Sequence, residues 1–270
     1  GIQATLFAWL HGSETDFEAA VSANIDVGVS SIAQLDAVAA TAGIGRVHLK
    51  IDTGLRRNGI SARDWDAACQ RAKQLQDEGS ITVIGVWSHL ADAGPESDAA
   101  ALAAFDDAVE RARAAGLVPE IVHIAASSAA LRNPAARRDV VRVGIAAYGI
   151  SPFDDVDGAA LGLRPVLRLS SSAEISSVTG STIDAGWFDG IPQVHEDSNA
   201  WLSVNGVPTG IRSVGPQFTT LEAECDPHST VDIIGGEGPT AEQWAAWTGS
   251  IGDEVMTTIP AHVRRVYVRD

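Results

Sequence analysis

Between residue 4 and about residue 150, short apolar runs alternate with amphipathic stretches, and this alternation narrows the possible folds more than any other feature. Apolar runs followed repeatedly by a helical pattern are what parallel strands joined by crossover helices require. The candidate strands are Thr5–Leu10, Ile25–Val29, Val47–Ile51, Ile81–Trp87, Glu120–Ile124 and Val140–Ile145. Between them Asp16–Ala23, Ser31–Ala40, Ala62–Glu78 and Ser97–Ala115 read as helices. In the last of these Leu102, Phe105, Val109 and Ala112 recur at helical spacing, and Gly116 stands where a C-terminal cap belongs. Polar turns follow the strands at His11-Gly12-Ser13, Asp52-Thr53-Gly54, Ser88-His89 and Ala126-Ser127, the positions that form the catalytic face of a βα barrel. A complete barrel needs eight strands, two more than this count supplies.

After Pro152 the texture changes. Pro165 to Val178 is β-like, and then come Trp201–Val204 with an Asn205-Gly206 turn, Val231–Ile234 and a short helix after Pro239. The expected architecture is therefore α/β: an incomplete TIM-type βα barrel over residues 1–162, followed by a C-terminal β-rich domain over 163–270.

Composition excludes several functions. A net charge of −16 with two lysines, Lys50 and Lys73, repels a phosphate backbone and argues against nucleic acid or an anionic membrane as partner. Cys69 and Cys225 are far apart with no Cys or His at ligand spacing, so neither a disulfide framework nor a zinc site is expected. No apolar run approaches the roughly 18 residues that span a bilayer, and Gly1-Ile2-Gln3-Ala4 carries no basic n-region. The expected location is cytoplasmic.

The chemistry concentrates in five segments. In His48-Leu49-Lys50-Ile51-Asp52-Thr53-Gly54-Leu55-Arg56-Arg57-Asn58-Gly59-Ile60-Ser61, an apolar strand runs into a turn bearing Lys, Asp, Thr and Arg. Alone, Lys50, Asp52 and Arg57 would be read as a salt-bridged strand end. Trp87-Ser88-His89-Leu90-Ala91 alone would hold a structural histidine, and His123-Ile124-Ala125-Ala126-Ser127-Ser128-Ala129 a serine-rich helix N-cap. The others are Val141-Arg142-Val143-Gly144-Ile145-Ala146-Ala147-Tyr148-Gly149 and His262-Val263-Arg264-Arg265-Val266-Tyr267, the latter by itself an edge strand.

Together and in this order, the five segments resemble the alanine racemase family of pyridoxal phosphate enzymes. The first is similar to its Lys-x-Asp-Thr-Gly-x-x-Arg-x-Gly signature. The resemblance makes Lys50 a lysine that is often carbamylated and orients Arg57, and His89 a partner of the arginine that faces the cofactor ring. That arginine is Arg142; placed against the pyridine nitrogen it keeps the nitrogen unprotonated and the ring a weak electron sink. Ser127, the backbone of Gly144 and Ile145, and Tyr267 would receive the cofactor phosphate. The implied activity is interconversion of L- and D-alanine for cell-wall synthesis, in a homodimer whose sites lie between one subunit's barrel and the other's second domain. The implied substrate is alanine or another small amino acid.

The resemblance breaks at the catalytic bases. No segment matches the one that carries the family's Schiff-base lysine on the first barrel strand; Leu6-Phe7-Ala8-Trp9-Leu10-His11 resembles the third strand, so the first two are not among these residues. Gly186-Trp187-Phe188-Asp189-Gly190 is similar to Gly-Tyr-Ala-Asp-Gly with Trp187 in place of the tyrosine base, and indole cannot relay a proton as a phenol can. The stretch preceding it, with a Ser-Tyr-Gly turn, is missing between Val178 and Ser181, and Phe218-Thr219-Thr220 stands where Cys-Met-Asp is usual. The expectation is an impaired or inactive racemase with pyridoxal phosphate bound non-covalently if at all. The alternatives are a non-catalytic pyridoxal phosphate or amino-acid binding protein, and part of a working racemase. Without two strands, an open, rearranged barrel or a partner element covering the exposed edges is expected.

Overall fold

The computed structural model describes residues 3–176, 180–195 and 197–268. The chain divides into two compact units, Gly1–Val143 and Gly144–Asp270.

In the first unit, β1 (Phe7–Ala8), α1 (Phe17–Ser22), β2 (Asp26–Val29), α2 (Ile32–Ala39), β3 (Gly45–Lys50), α3 (Trp65–Asp77), β4 (Ile81–Trp87), α4 (Pro95–Ala114), β5 (Ile121–His123) and α5 (Ser127–Arg132) alternate. The strands form one open sheet in the order β1-β2-β3-β4-β5, parallel throughout. This is the incomplete βα barrel. The helices follow local signals: Asp16 and Ser31 cap α1 and α2 by accepting from the Ala19 and Gln34 amides. Pro95 opens α4 and Gly116, at φ +86°, turns the chain out of it. The α4 stripe Leu102, Phe105, Val109 and Ala112 is buried as its spacing requires, together with Val47 and Leu49 of β3, in one apolar core.

Two strand expectations are corrected. Only Phe7 and Ala8 of Thr5–Leu10 stand in ladder register with β2 (Asp26 and Val27), so β1 is two residues long. Val140–Ile145 forms no strand. The Asp139 and Arg142 amides donate to Val122 and Ala125 carbonyls, but the Val122 N–H is taken by the Asp139 carboxylate, which interrupts the ladder a sixth strand would need.

The second unit opens with 3-10 turns at Ile145–Tyr148 and Ala159–Leu161. Six antiparallel strands follow: β6 (Leu169–Ser176), β7 (Gly180–Ile183), β8 (Trp201–Val204), β9 (Val207–Val214), β10 (Thr219–Leu221) and β11 (Thr230–Ile234). They close into a barrel in the order β10-β7-β6-β11-β8-β9, beside α6 (Ala241–Thr248) and α7 (Gly252–Thr257). Asn205 and Gly206, both at positive φ, make the tight turn between β8 and β9. Thr240 and Gln243 form the capping box that starts α6. The expected run to Val178 and the missing turn between Val178 and Ser181 involve residues 177–179, outside the described residues. The tail at 262–268 is not an edge strand. Arg265 instead donates to the carbonyls of Ile259, Pro260 and Val263, and Tyr267 is exposed. Among the described residues no helix is long and apolar enough to cross a membrane.

Candidate active site

Pleating sets the chemistry of the first unit. Along β3, Val47 and Leu49 face the helices, so His48 and Lys50 project from the opposite face. There they meet His123 of β5 and Trp87 of β4, while Phe7 of β1 lies 4.5 Å from the His48 ring. The chain beyond β3 closes back on itself: the Asp52 amide donates to Ile60 O and the Ile60 amide to Lys50 O. Asp52 Oδ1 caps this loop internally by accepting from the Gly54 and Arg56 amides. Gly59, at φ +142°, is required where the strands of the loop meet, since a Cβ there would lie 2.7 Å from the Asp52 nitrogen.

Arg142 is the centre of the site. Its Nη2 donates to Ser88 O (2.7 Å), Ile124 O (3.0 Å) and His89 Nδ1 (3.1 Å), and its Nη1 to His123 Nδ1 (2.6 Å). Its Nε–H is buried and has no protein acceptor. Ser88 is itself fixed, because its hydroxyl donates to Ile51 O and so receives that of Thr53, each at 2.8 Å. Burial, with Arg57 nearby, pulls the Arg142 guanidinium down to about 10, still well above neutrality.

Three cations surround two indoles. Lys50 Nζ lies 4.5 Å from the Trp87 ring centroid, Arg142 Cζ 5.0 Å from Trp87 and 6.0 Å from Trp9, and Arg57 Cζ 5.9 Å from Trp9. His89 stacks on Trp9 at 5.8 Å. Lys50 is 1% exposed and its Nζ has no hydrogen-bond partner. Burial first, then Arg57 and Arg142, bring it down to about 8. Burial with Arg142, Arg57 and Lys50 holds His89 at about 4, so it is neutral and accepts from Arg142. A set of unfilled donors and excess positive charge beside aromatic faces suits a flat anionic ligand.

The folded-state fall of Lys50 from 10.5 to about 8 opposes folding by roughly 3 kcal/mol at neutral pH. The opposition is complete below about 8 and disappears as pH rises from there through 10.5. Lys50→Met is therefore expected to raise the urea midpoint at neutral pH in carbonate-free buffer, and to raise it far less near pH 10. A variant destabilised at both pH values would show that an anion already compensates the ammonium.

The structure thus gathers Lys50, His89 and Arg142, with Arg57 exposed at the rim over Trp9. Ser127 lies in the same unit, but it is the first residue of α5 and not its cap; the cap is Ala126, which has no side chain to accept a backbone hydrogen. Gly144, Ile145, Trp187 and Tyr267 belong to the second unit. Gly144 and Ile145 begin its first 3-10 turn, and Trp187 packs on Phe188 at 4.2 Å. Thr219 is fully buried, its hydroxyl donating to Ala185 O at 2.8 Å. Sequence reasoning missed Asp26, His48 and His123 as parts of the site. The available signal was polar residues in strands of a parallel sheet, which ordinarily read as unbroken apolar runs.

With this geometry in place, comparison with known proteins is direct. Residues 1–152 match the family model described as alanine racemase, N-terminal domain. The alanine racemase of Frankia casuarinae is 33% identical over 99% of this chain and 78% of its own length, and that of Salinispora arenicola 35% identical over 95% and 77%. The crystal structure of alanine racemase from D-cycloserine producing Streptomyces lavendulae superposes with a TM-score of 0.92 at 32% identity, covering 100% of this chain and 79% of that one. That of Streptomyces coelicolor gives 0.92 at 32%, covering 98% and 78%. A parallel half-barrel whose strand ends carry this cationic site, followed by an antiparallel barrel, defines the class, and the chain belongs to the alanine racemase family.

Proposed function

We propose that this chain binds pyridoxal phosphate non-covalently, with Arg142 facing the pyridine nitrogen, and that the L-alanine/D-alanine interconversion of its family, a source of cell-wall precursors, is impaired or lost in it. The carrying observation is the Arg142 Nε–H, buried and lacking an acceptor while the other guanidinium nitrogens are held. An unprotonated ring nitrogen is an acceptor of the right kind, and the three surrounding cations suit a phosphorylated anion. Pyridoxal phosphate, when bound, supplies the electron sink that acidifies the α-C–H of an amino acid.

The chain's own residues then divide the work. Arg142 donates to the ring nitrogen without giving up its proton. His89 accepts from Arg142 Nη2 and so holds it, and Lys50, as amine or carbamate, orients Arg57. Ser127, Gly144, Ile145 and Tyr267 are the proposed phosphate contacts. The impairment rests on Trp187, whose indole N–H is a donor only, and on Thr219, whose hydroxyl is already committed to Ala185. We place the cofactor-binding part at 1–162, which takes in the two 3-10 turns that open the second compact unit, and the β-rich domain at 163–270, in a cytoplasmic homodimer acting on alanine or another small amino acid. A second reading, a non-catalytic binder of pyridoxal phosphate or amino acid, rests on the retained Arg142, Ser127 and Tyr267.

Titration with pyridoxal phosphate is expected to quench Trp9 and Trp87 fluorescence saturably, and Arg142→Lys to weaken the binding. The purified chain is expected not to convert D-alanine. Conversion would restore the reading of a working racemase, and absence of quenching would remove the cofactor from the account.

A further inference from the structure

Arg142 is the visible end of a longer chain of buried groups. Beyond His123 Nδ1, which accepts from Arg142, His123 Nε2 lies 3.3 Å from His48 Nδ1, and His48 Nε2 lies 3.4 Å from Asp26 Oδ2. Asp26 receives Arg46 on both oxygens, Nε on Oδ1 at 2.5 Å and Nη2 on Oδ2 at 3.1 Å. Asp26, His48 and His123 are 1%, 4% and 2% exposed. Phe7 and Trp87 wall the imidazoles, Trp87 lying parallel to His123 at 5.6 Å.

Donor and acceptor chemistry gives this chain one direction. A guanidinium can only donate, so His123 Nδ1 must accept and its proton sits on Nε2. That N–H points to His48 Nδ1, which must in turn accept, leaving the His48 proton on Nε2 for the Asp26 carboxylate. The space for it is built in: a Cβ on Gly85 of β4 would stand 2.4 Å from His48 Nδ1.

We propose that His48 and Asp26 are positioning residues, which act through His123 in a one-way relay Arg142→His123→His48→Asp26 to lock the Arg142 guanidinium with its Nε–H edge free. The significance for cofactor binding rests on the reading of Arg142 given above; the relay itself does not. The far carboxylate, neutralised by Arg46 at the N-terminal ends of β2 and β3, draws the hydrogen bonds of both imidazoles one way without placing a negative charge beside the ring-facing group.

The test is nitrogen-15 NMR of the full chain labelled at histidine and arginine, without cofactor, near pH 7. His48 and His123 are expected as neutral Nε2–H tautomers, and the two Arg142 Nη groups as separate resonances because the guanidinium cannot rotate. His48→Gln, which can accept from His123 and donate to Asp26, should keep them separate, whereas His48→Leu, a better apolar filler, should merge them. His48→Leu should also weaken pyridoxal phosphate binding about tenfold, the loss of one buried hydrogen bond, with His48→Gln close to the parent. A His48 proton on Nδ1, a protonated His48, or equal behaviour of the Gln and Leu variants would overturn the relay. If His48→Leu does not fold, the tautomers of the unaltered chain decide. If the parent binds no cofactor, the Arg142 resonances still judge the relay while the functional reading falls.

Discussion

Arg142→Leu is expected to destabilise the first unit by about 4 kcal/mol or more, the largest effect of any single substitution considered. The guanidinium satisfies two carbonyls, Ser88 O and Ile124 O, and two imidazole nitrogens, His89 Nδ1 and His123 Nδ1. Leucine leaves all four without this donor; Ser88, His123 and Ile124 are buried and His89 partly so, and each acceptor that stays buried costs about 1 to 3 kcal/mol. Relief of repulsion with Arg57, which helps lower Arg142, and with Lys50, which Arg142 helps lower, offsets part of this. Arg142→Lys, with one compact ammonium and three donors, should fall between the parent and the leucine variant. Urea unfolding followed by tryptophan emission measures both; a loss below about 1 kcal/mol for leucine would mean that the four acceptors find other partners.

The second large effect is with pH. Burial and Arg142 hold His123 at about 3, and burial with three neighbouring cations holds His89 at about 4, against 6.5 in the unfolded chain. Burial also lowers His48 and His11. In each case the unfolded state takes up the proton first. These groups therefore leave stability unchanged above 6.5 and remove it progressively as pH falls below that value, the His89 contribution levelling near 4 and that of His123 near 3. At about pH 5 the His123 term alone is on the order of 2 kcal/mol. The upper part of the window, from 6.5 to about 5, lies above the usual carboxylate range, so it is separable from ordinary acid unfolding. Midpoints measured from about pH 7.5 to 4.5 should begin to fall near 6.5. A flat profile down to about 5 would show that the imidazoles are already charged in the folded state.

The fold was largely legible in the sequence because its signals are local. Ser31, Gly116, Asn205-Gly206 and Thr240 each act within a few residues, and the stripe on α4 repeats within one helix. What failed required a distant partner. Val140–Ile145 has strand composition, but the Asp139 carboxylate takes the Val122 amide 17 residues away, and no pattern within the segment announces that. The tail around Tyr267 likewise reads as a strand until Arg265 is seen to bind the carbonyls behind it. In the site, the motifs pointed to Lys50, His89 and Arg142, which the structure brings together around Trp87 and Trp9. The relay beneath them was not visible, since Asp26, His48 and His123 come from three strands and meet only when β2 to β5 are in register. Their trace in the sequence is polarity where a buried parallel strand should have none.

The central claim is that Arg142 offers its free Nε–H to the ring of a non-covalently bound cofactor. It is tested most directly by adding stoichiometric pyridoxal phosphate to the arginine-labelled chain, following the Arg142 Nε–H resonance, and then treating the complex with borohydride. This resonance is expected to move saturably and reversibly, with no lysine trapped. An unmoved Arg142 resonance, or cofactor fixed covalently to Lys50 or Lys73, would contradict it.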